Sequence, residues 1–535
     1  MKNISKILLS VCCSASLMLS SCIDETMPTN VATTDQLGAS DKATEALLWA
    51  MPAFANKVEN VAGNDWEWGY GSLIHIRDVM TGDLAIQASA YQIWYQFWFT
   101  NTGIGPNTAA SQFIWNYYWQ FVQTANNMIS AVNTDNATDT QLGYLGVGHA
   151  FRAMLYLDMA QSYEFLENDK ISPINRDGNN VLHLTVPIVT ETTTEEEARN
   201  NPRVTREEMA VFILNDLNKA EEYIPNLTSM IKTLPHLDAV YGLKARYYMW
   251  LGEYTNAKDY ARKAINTSKT SPMTEEQWLS TTSGFNDISC WMWGSQMQSE
   301  DEAVQTGILN WASFMSPEAL YGYAWANGGG IMSKIDAKLY ARIKDTDFRK
   351  KAWKAPAGSA LEGQTPYIDP SIDDYLPAYT GVKFRPGNGN MNDYTVGSAS
   401  AYPFMRVEEM YLIEAEAAAH LNAGEGKSLL ESFMITYRDP SYVCNNPDII
   451  DEILLQKRIE LWGEGTTFYD IKRLNLSVTR GYSGTNWSDA ARLNTNGRPA
   501  WMNFCIVQTE ENNNEALRGY DNPDPSGCYD TWLGE

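Results

Sequence analysis

Histidine is scarce in this sequence, and the five present, His75, His149, His183, His236 and His420, lie far apart. None falls in HExxH or a similar spacing, so no zinc-hydrolase signature is present. Cysteine is equally sparse beyond residue 22. Cys290, Cys444, Cys505 and Cys528 contain no CxxC pair, which removes zinc-ribbon and dithiol chemistry; Cys505 and Cys528 could pair in an oxidising compartment. No GxSxG nucleophile elbow occurs. Gly424-Glu-Gly426-Lys427-Ser428 has the end of a phosphate-binding loop, but Leu421 stands where its first glycine belongs. A helix precedes it where a strand is required, so it reads as a helix–helix turn. Cations are in deficit: 40 Lys and Arg stand against 65 Asp and Glu, a formal charge of −25. So acidic a chain repels nucleic acid and anionic lipid surfaces, and neither is an expected partner. With that many carboxylates, pairs at glycosidase spacing are inevitable and uninformative. No catalytic residue, cofactor or metal is expected.

The N-terminus is different in kind. Lys2 and Lys6 form a short positive region, and Ile7 to Leu19 is an apolar run too short to span a bilayer. This is the layout of a signal peptide over residues 1–21. Leu19-Ser20-Ser21-Cys22 matches a bacterial lipobox, with two small residues ahead of the cysteine that takes the lipid. Cys22 is therefore the expected lipidation site, and removal of residues 1–21 takes the formal charge from −25 to −27. Residues 22–40 are polar and read as a flexible tether. No later stretch is long and apolar enough to be a transmembrane helix.

Helical periodicity dominates the body, residues 41–535. Ser40 or Asp41 can cap a helix through Leu47, Leu48 and Met51, with Pro52 as a kink. From Ser111, residues Ile114, Tyr118, Phe121, Ala125, Met128 and Val132 form an apolar stripe, and another helix covers about 144–165. Thr205-Arg-Glu-Glu208 is a capping box, and Pro225 ends the helix that follows. His236–Leu251, a break at Gly252 and Thr255–Asn266 form a pair whose Ala245, Tyr248, Ala257, Ala261 and Ala264 sit where tetratricopeptide repeats carry small and aromatic packing residues. Repeat-like helices thus span about 111–268. Residues 270–400 are rich in Gly, Pro, Asn and aromatics, which predicts long loops with one helix near 333–343, and loops of that length are usually functional. Helices resume over 403–474.

Two C-terminal segments carry a family resemblance. Pro403-Phe-Met-Arg406-Val-Glu-Glu-Met-Tyr-Leu-Ile-Glu-Ala-Glu416-Ala, and Arg458-Ile-Glu460-Leu-Trp-Gly-Glu464-Gly465 continuing to Asp470-Ile-Lys-Arg473, resemble signature helices of the SusD/RagB family of outer-membrane nutrient-binding lipoproteins. Lys457 replaces a usual acid and Thr467 a usual basic residue. The lipobox, the Asp24-Glu25 pair behind it and Asp347-x-Arg349 fit the same family. The resemblance implies an all-α dominated fold with tetratricopeptide-like helix pairs and a loop-rich ligand-binding region. It implies a lipid-anchored protein of the cell outer membrane, facing outward, that binds oligosaccharide and delivers it to a SusC-like TonB-dependent transporter. Peptide binding, as in the RagB branch, and a helical adaptor without small ligand are the alternatives. The charges of the two signatures read as ion pairs across helix interfaces, since half-buried charge needs partners.

Glycan recognition calls for flat aromatic faces with polar groups beside them. The candidates are loop aromatics without a periodic core role: Trp66, Trp68, Trp94, Trp98, Trp293, Tyr321, Tyr323 and Trp325. Asn101 joins them because the starch-binding member of the family uses a Trp followed three residues later by Asn. Trp115 and Trp119, on the long helix, are assigned to the core.

Overall fold

The structure is a computed structural model and describes residues 40–59, 64–86, 95–282, 284–321 and 331–534. Cys22 and the tether lie outside the described residues. The Ser40 hydroxyl caps α1 (Asp41–Phe54), and Pro52 sits inside that helix. α2 (Tyr70–Val79) is buried along its whole length. α3 (Ala109–Ser130) starts from a Thr108 cap, and α4 (Asp139–Tyr163) is enclosed from Leu145 to its end. Thr205 and Glu208 close the capping box of α5 (Arg206–Tyr223). α6 (Leu237–Leu251) ends on Gly252 at φ +74°, a left-handed position that a side chain would strain, and α7 (Tyr254–Thr267) follows. The later helices are α8 (Val407–Leu421), α9 (Ala423–Tyr437), α10 (Ile449–Glu460) and α11 (Thr467–Arg473). Gly424 to Ser428 form the first turns of α9, capped by the Asn422 side chain, so the expected helix–helix turn is shorter than that segment.

From α3 to α9, each helix packs on the next in sequence, the neighbour-to-neighbour arrangement of a helical repeat. Small residues permit the approach. Ala257, Ala261 and Ala264 are fully buried on α7. On α4, a Cβ on Gly143 or Gly146 would stand 2.7 Å from the Leu227 nitrogen or 2.6 Å from the Ile224 nitrogen. The fold is all-α dominated, and its strands are short: β1 (Leu84–Ala85), β2 (Trp293–Gln296), β3 (Lys334–Ile335) and β4 (Ala401–Met405). β1 pairs with β3 and β2 with β4, both antiparallel. The 270–400 region holds several short helical turns around Ala337–Arg342 rather than one helix in bare loop.

The signature charges form a buried ionic core. Glu460 accepts from Arg349 Nη1 at 2.9 Å, Arg406 Nη1 at 3.1 Å, and Arg438 Nε and Nη2 at 2.7 and 2.8 Å, with all four side chains fully buried. Arg406 also reaches Glu464 and Glu408, Lys383 reaches Glu464, and Arg349 reaches Asp347. Burial alone would raise the Glu460 carboxyl, but Arg438, Arg406 and Arg349 hold it well below the usual carboxylate range. A second cluster pairs Lys457 with Glu416 and Asp470, and Arg473 with the same two acids.

Candidate functional site

Six of the residues singled out for ligand contact are in the core. Trp68, Trp98, Trp293 and Asn101 are at most 1% exposed, Trp66 is 2% exposed and Tyr321 6%. Trp68 stacks on Phe314 with 4° between planes and donates to Tyr95 Oη at 2.8 Å. Trp66 meets Trp98 edge to face at 5.4 Å, and His75 lies against Tyr95 at 4.5 Å. Burial drives the His75 imidazole down to about 3, so it stays neutral among these rings. Trp293 packs between Phe151 and Phe404. Asn101, at φ +53°, donates to the Pro525 carbonyl at 2.9 Å, and Tyr321 accepts from Ser398. These rings carry no stacking face to solvent. Their neighbours across the sequence supply the apolar partners that local periodicity cannot reveal. Trp94, Tyr323 and Trp325 lie outside the described residues.

β1 and β3 pair Leu84 with Ile335 and Ala85 with Lys334, so Ile86 and Ser333 leave this ribbon at the same end. The exposed aromatics of that side of the chain are ones that the sequence reading passed over. Tyr375 is 79% exposed and Tyr394 38%, with Leu320 at 43%. Leu320 N–H donates to the Met391 carbonyl at 2.7 Å, and Met391 packs with Ile372, Leu376, Met332 and Tyr367. Asn390 Oδ1 accepts from the Asn392 and Asp393 amides at 3.1 and 2.9 Å, which sets the loop that presents Tyr394. No local signal separates them: Tyr375 and Tyr394 follow Asp373-Asp374 and Asn392-Asp393, but buried Trp66 follows Asn64-Asp65 in the same way.

The platform is pinned from below. Arg385 and Glu318 form a fully buried ion pair; Glu318 accepts from the Ile368 amide at 2.7 Å, and Arg385 Nη2 donates to the Pro366 carbonyl at 2.6 Å. Tyr367 Oη donates to Asp373 at 2.6 Å, and Lys354 pairs with the same carboxylate. Burial raises the Tyr367 phenol, and its bond to Asp373 adds to the shift, so it remains a donor. Around these buried anchors the loops expose Tyr375, Tyr394 and Leu320, and Asn388, Asn390, Asn392 and Asp393 supply polar side chains in the same stretch of sequence. Such a surface can stack on sugar rings and bond their hydroxyls.

A cleft of about 720 Å³ lies inside the helical body among Tyr70, Arg77, Asp158, Arg246, Glu409 and Arg473. Its charges are matched, Arg77 with Asp158 and Arg246 with Glu409. Among the described residues no group of three His, Cys, Asp or Glu could hold a metal ion, and no helix is long and apolar enough to cross a membrane. Cys290, Cys444, Cys505 and Cys528 are free thiols.

A family model described as "Starch-binding associating with outer membrane" matches residues 41–249, and one described as "SusD family" matches residues 291–524. Among solved structures, a SusD-like carbohydrate binding protein from Bacteroides vulgatus shares 21% identity at a TM-score of 0.68, over 90% of this chain and 98% of that one. A SusD superfamily protein from the same organism shares 15% at 0.69, over 90% and 99%. Surface glycan-binding protein A from Bacteroides thetaiotaomicron, in complex with laminarihexaose, shares 16% at 0.63, over 90% and 99%. No curated protein matches the chain.

Proposed function

This chain belongs to the SusD/RagB family, and from that premise we propose that it captures oligosaccharide at the cell surface and passes it to a SusC-like TonB-dependent transporter. The observation that carries the reading is the loop face: Tyr375, Tyr394 and Leu320 exposed on a platform pinned by the buried Arg385–Glu318 pair. Trp94, Tyr323 and Trp325, outside the described residues, are retained as proposed stacking residues on the sequence argument alone. The laminarihexaose bound by a relative of the same fold makes a glycan the ligand class to test first. Acylation at Cys22 anchors the chain in the outer membrane, facing outward, and the protein binds without cleaving.

The decisive experiment titrates the mature chain with an array of oligosaccharides, then repeats it with Tyr375→Ala and Tyr394→Ala combined. Losing a stacking anchor costs about 2 kcal/mol, so the double variant should bind at least tenfold more weakly with its circular dichroism unchanged, and no new reducing ends should appear. Undiminished binding by that variant would refute the face, and peptide binding in place of glycan would refute the ligand class. For the transporter, detergent extraction and pull-down on a C-terminal tag should recover a β-barrel receptor at near-equal stoichiometry. Recovery of the chain alone would mean an independent surface binder.

A further inference from the structure

A second pocket, about 570 Å³, lies beyond the C-terminal end of α4, bounded by Glu164, His183, Arg206, Trp250, Lys472 and Arg498. None of these residues belongs to the loop face. Its charge runs against the chain as a whole. The molecule has 40 cations for 65 carboxylates; the buried cation clusters around Glu460 and Glu416 are matched by acids, whereas the isolated Arg480 is held by the carbonyls of Val79, Thr81 and Phe99. Here one carboxylate, Glu164, shares the lining with five basic side chains, His183, Arg206, Lys472, Arg473 and Arg498. It is already engaged, accepting from Trp250 Nε1 at 3.1 Å, His183 Nδ1 at 3.1 Å and Arg206 Nη1 at 3.5 Å.

Lys472 and Arg498 make no direct ion pair among the described residues, and Glu164 acts on both only at longer range. Lys472, 2% exposed, donates its Nζ only to the Ser162 carbonyl, at 2.9 Å. Arg498 donates to the carbonyls of Lys472 and Glu167, at 2.6 and 2.8 Å. Arg473, also on the pocket wall, spends Nη2 on Glu416 and Asp470, but its buried Nη1 has no partner. Neutral carbonyls do not repay the desolvation of a cation. The geometry points to an oxyanion-binding site, in which Lys472, Arg498 and Arg473 Nη1 hold a carboxylate, sulfate or phosphate group, free or carried on a sugar. Burial holds the Lys472 amine far below its ordinary range, with Glu164 opposing that shift and Arg498 and Arg203 adding to it; a bound anion supplies the missing charge.

The test is isothermal titration of the mature full chain, at constant ionic strength, with sodium sulfate, inorganic phosphate, glucuronate and, as the neutral control, glucose. At least one anion should give saturable one-to-one heat that glucose does not. Lys472→Met and Arg498→Gln should each weaken it tenfold or more, while the Tyr375→Ala, Tyr394→Ala double variant leaves it unchanged. K472M should remain folded, since Met reproduces the unbranched stem and removes a buried amine whose one hydrogen bond is to the Ser162 carbonyl. Tightest binding of glucuronate would place the charge on a sugar; tightest binding of sulfate or phosphate would place it on an inorganic anion or its ester. No saturable binding of any anion up to about 10 mM, well above a millimolar dissociation constant worth about −4 kcal/mol, would overturn the site. So would equal affinity in the parent, K472M and R498Q.

Discussion

Glu460→Gln is the sharpest single test of how this fold is held together. The substitution is isosteric, so it opens no cavity. Glu460 Oε2 takes hydrogen bonds from Arg349 Nη1 and Arg438 Nε, and Oε1 takes them from Arg406 Nη1 and Arg438 Nη2. Whichever oxygen becomes the amide NH₂, two guanidinium donors then face a donor. The cluster is neutral in the parent: Arg349, Arg406, Arg438 and Lys383 balance Asp347, Glu408, Glu460 and Glu464. The variant leaves one buried positive charge uncompensated. Breaking a buried pair in this way costs about 3–5 kcal/mol, a large part of the stability of a native protein. Urea unfolding followed by circular dichroism and tryptophan fluorescence reads the loss as a lower midpoint at unchanged slope. The pH dependence gives a second readout. The folded carboxyl sits below its unfolded value of about 4.3, so its stabilisation is complete above that value and lost as pH falls through the depressed one. The variant should lack this acid limb. Glu195→Gln, in a pair exposed on both sides, is the control and should leave the urea midpoint unchanged. A cost below about 1 kcal/mol for Glu460→Gln, against that 3–5 kcal/mol expectation, would refute the reasoning.

Burial raises the Asp521 carboxyl to about 7, with Glu511 adding to the shift while the Ile506 amide and Arg203 oppose it. The folded state therefore keeps a proton that the unfolded chain has lost, and stability contributed by this group falls by about 1.4 kcal/mol per unit as pH rises from about 4 to 7; Asp521→Asn, which retains the acceptor for Ile506, should flatten that window in pH-dependent melts. Trp68→Ala removes a fully buried ring stacked on Phe314 and should cost about 3–5 kcal/mol in urea unfolding, against little for Tyr375→Ala. Cys22→Ala should abolish labelling by fatty acid and release the chain from the membrane fraction, with binding by the soluble body intact.

Much of this protein is local physics. The Thr205–Glu208 capping box, the Gly252 break and the alanine face of α7 are short-range patterns, and each specifies its helix without reference to the rest of the chain. The signature charges could also be assigned to interfaces before any partner was known, because a charge on an apolar helix face must be paired. Which partners they take was beyond the sequence. Lys457, which departs from the family pattern, bridges Glu416 and Asp470 from three different helices, and Glu460 gathers guanidiniums that lie up to 111 residues away. The aromatics show the same division. A tryptophan outside any periodic segment looks free for a ligand, yet Trp66, Trp68, Trp98 and Trp293 are enclosed by rings and backbone from distant segments. Burial is a sum over neighbours in space, and for a loop residue those neighbours are remote in sequence. The charge of the Lys472 pocket followed the same rule: composition made cations the scarce species, and only the packing of α4, α6 and α11 gathered several of them around one carboxylate.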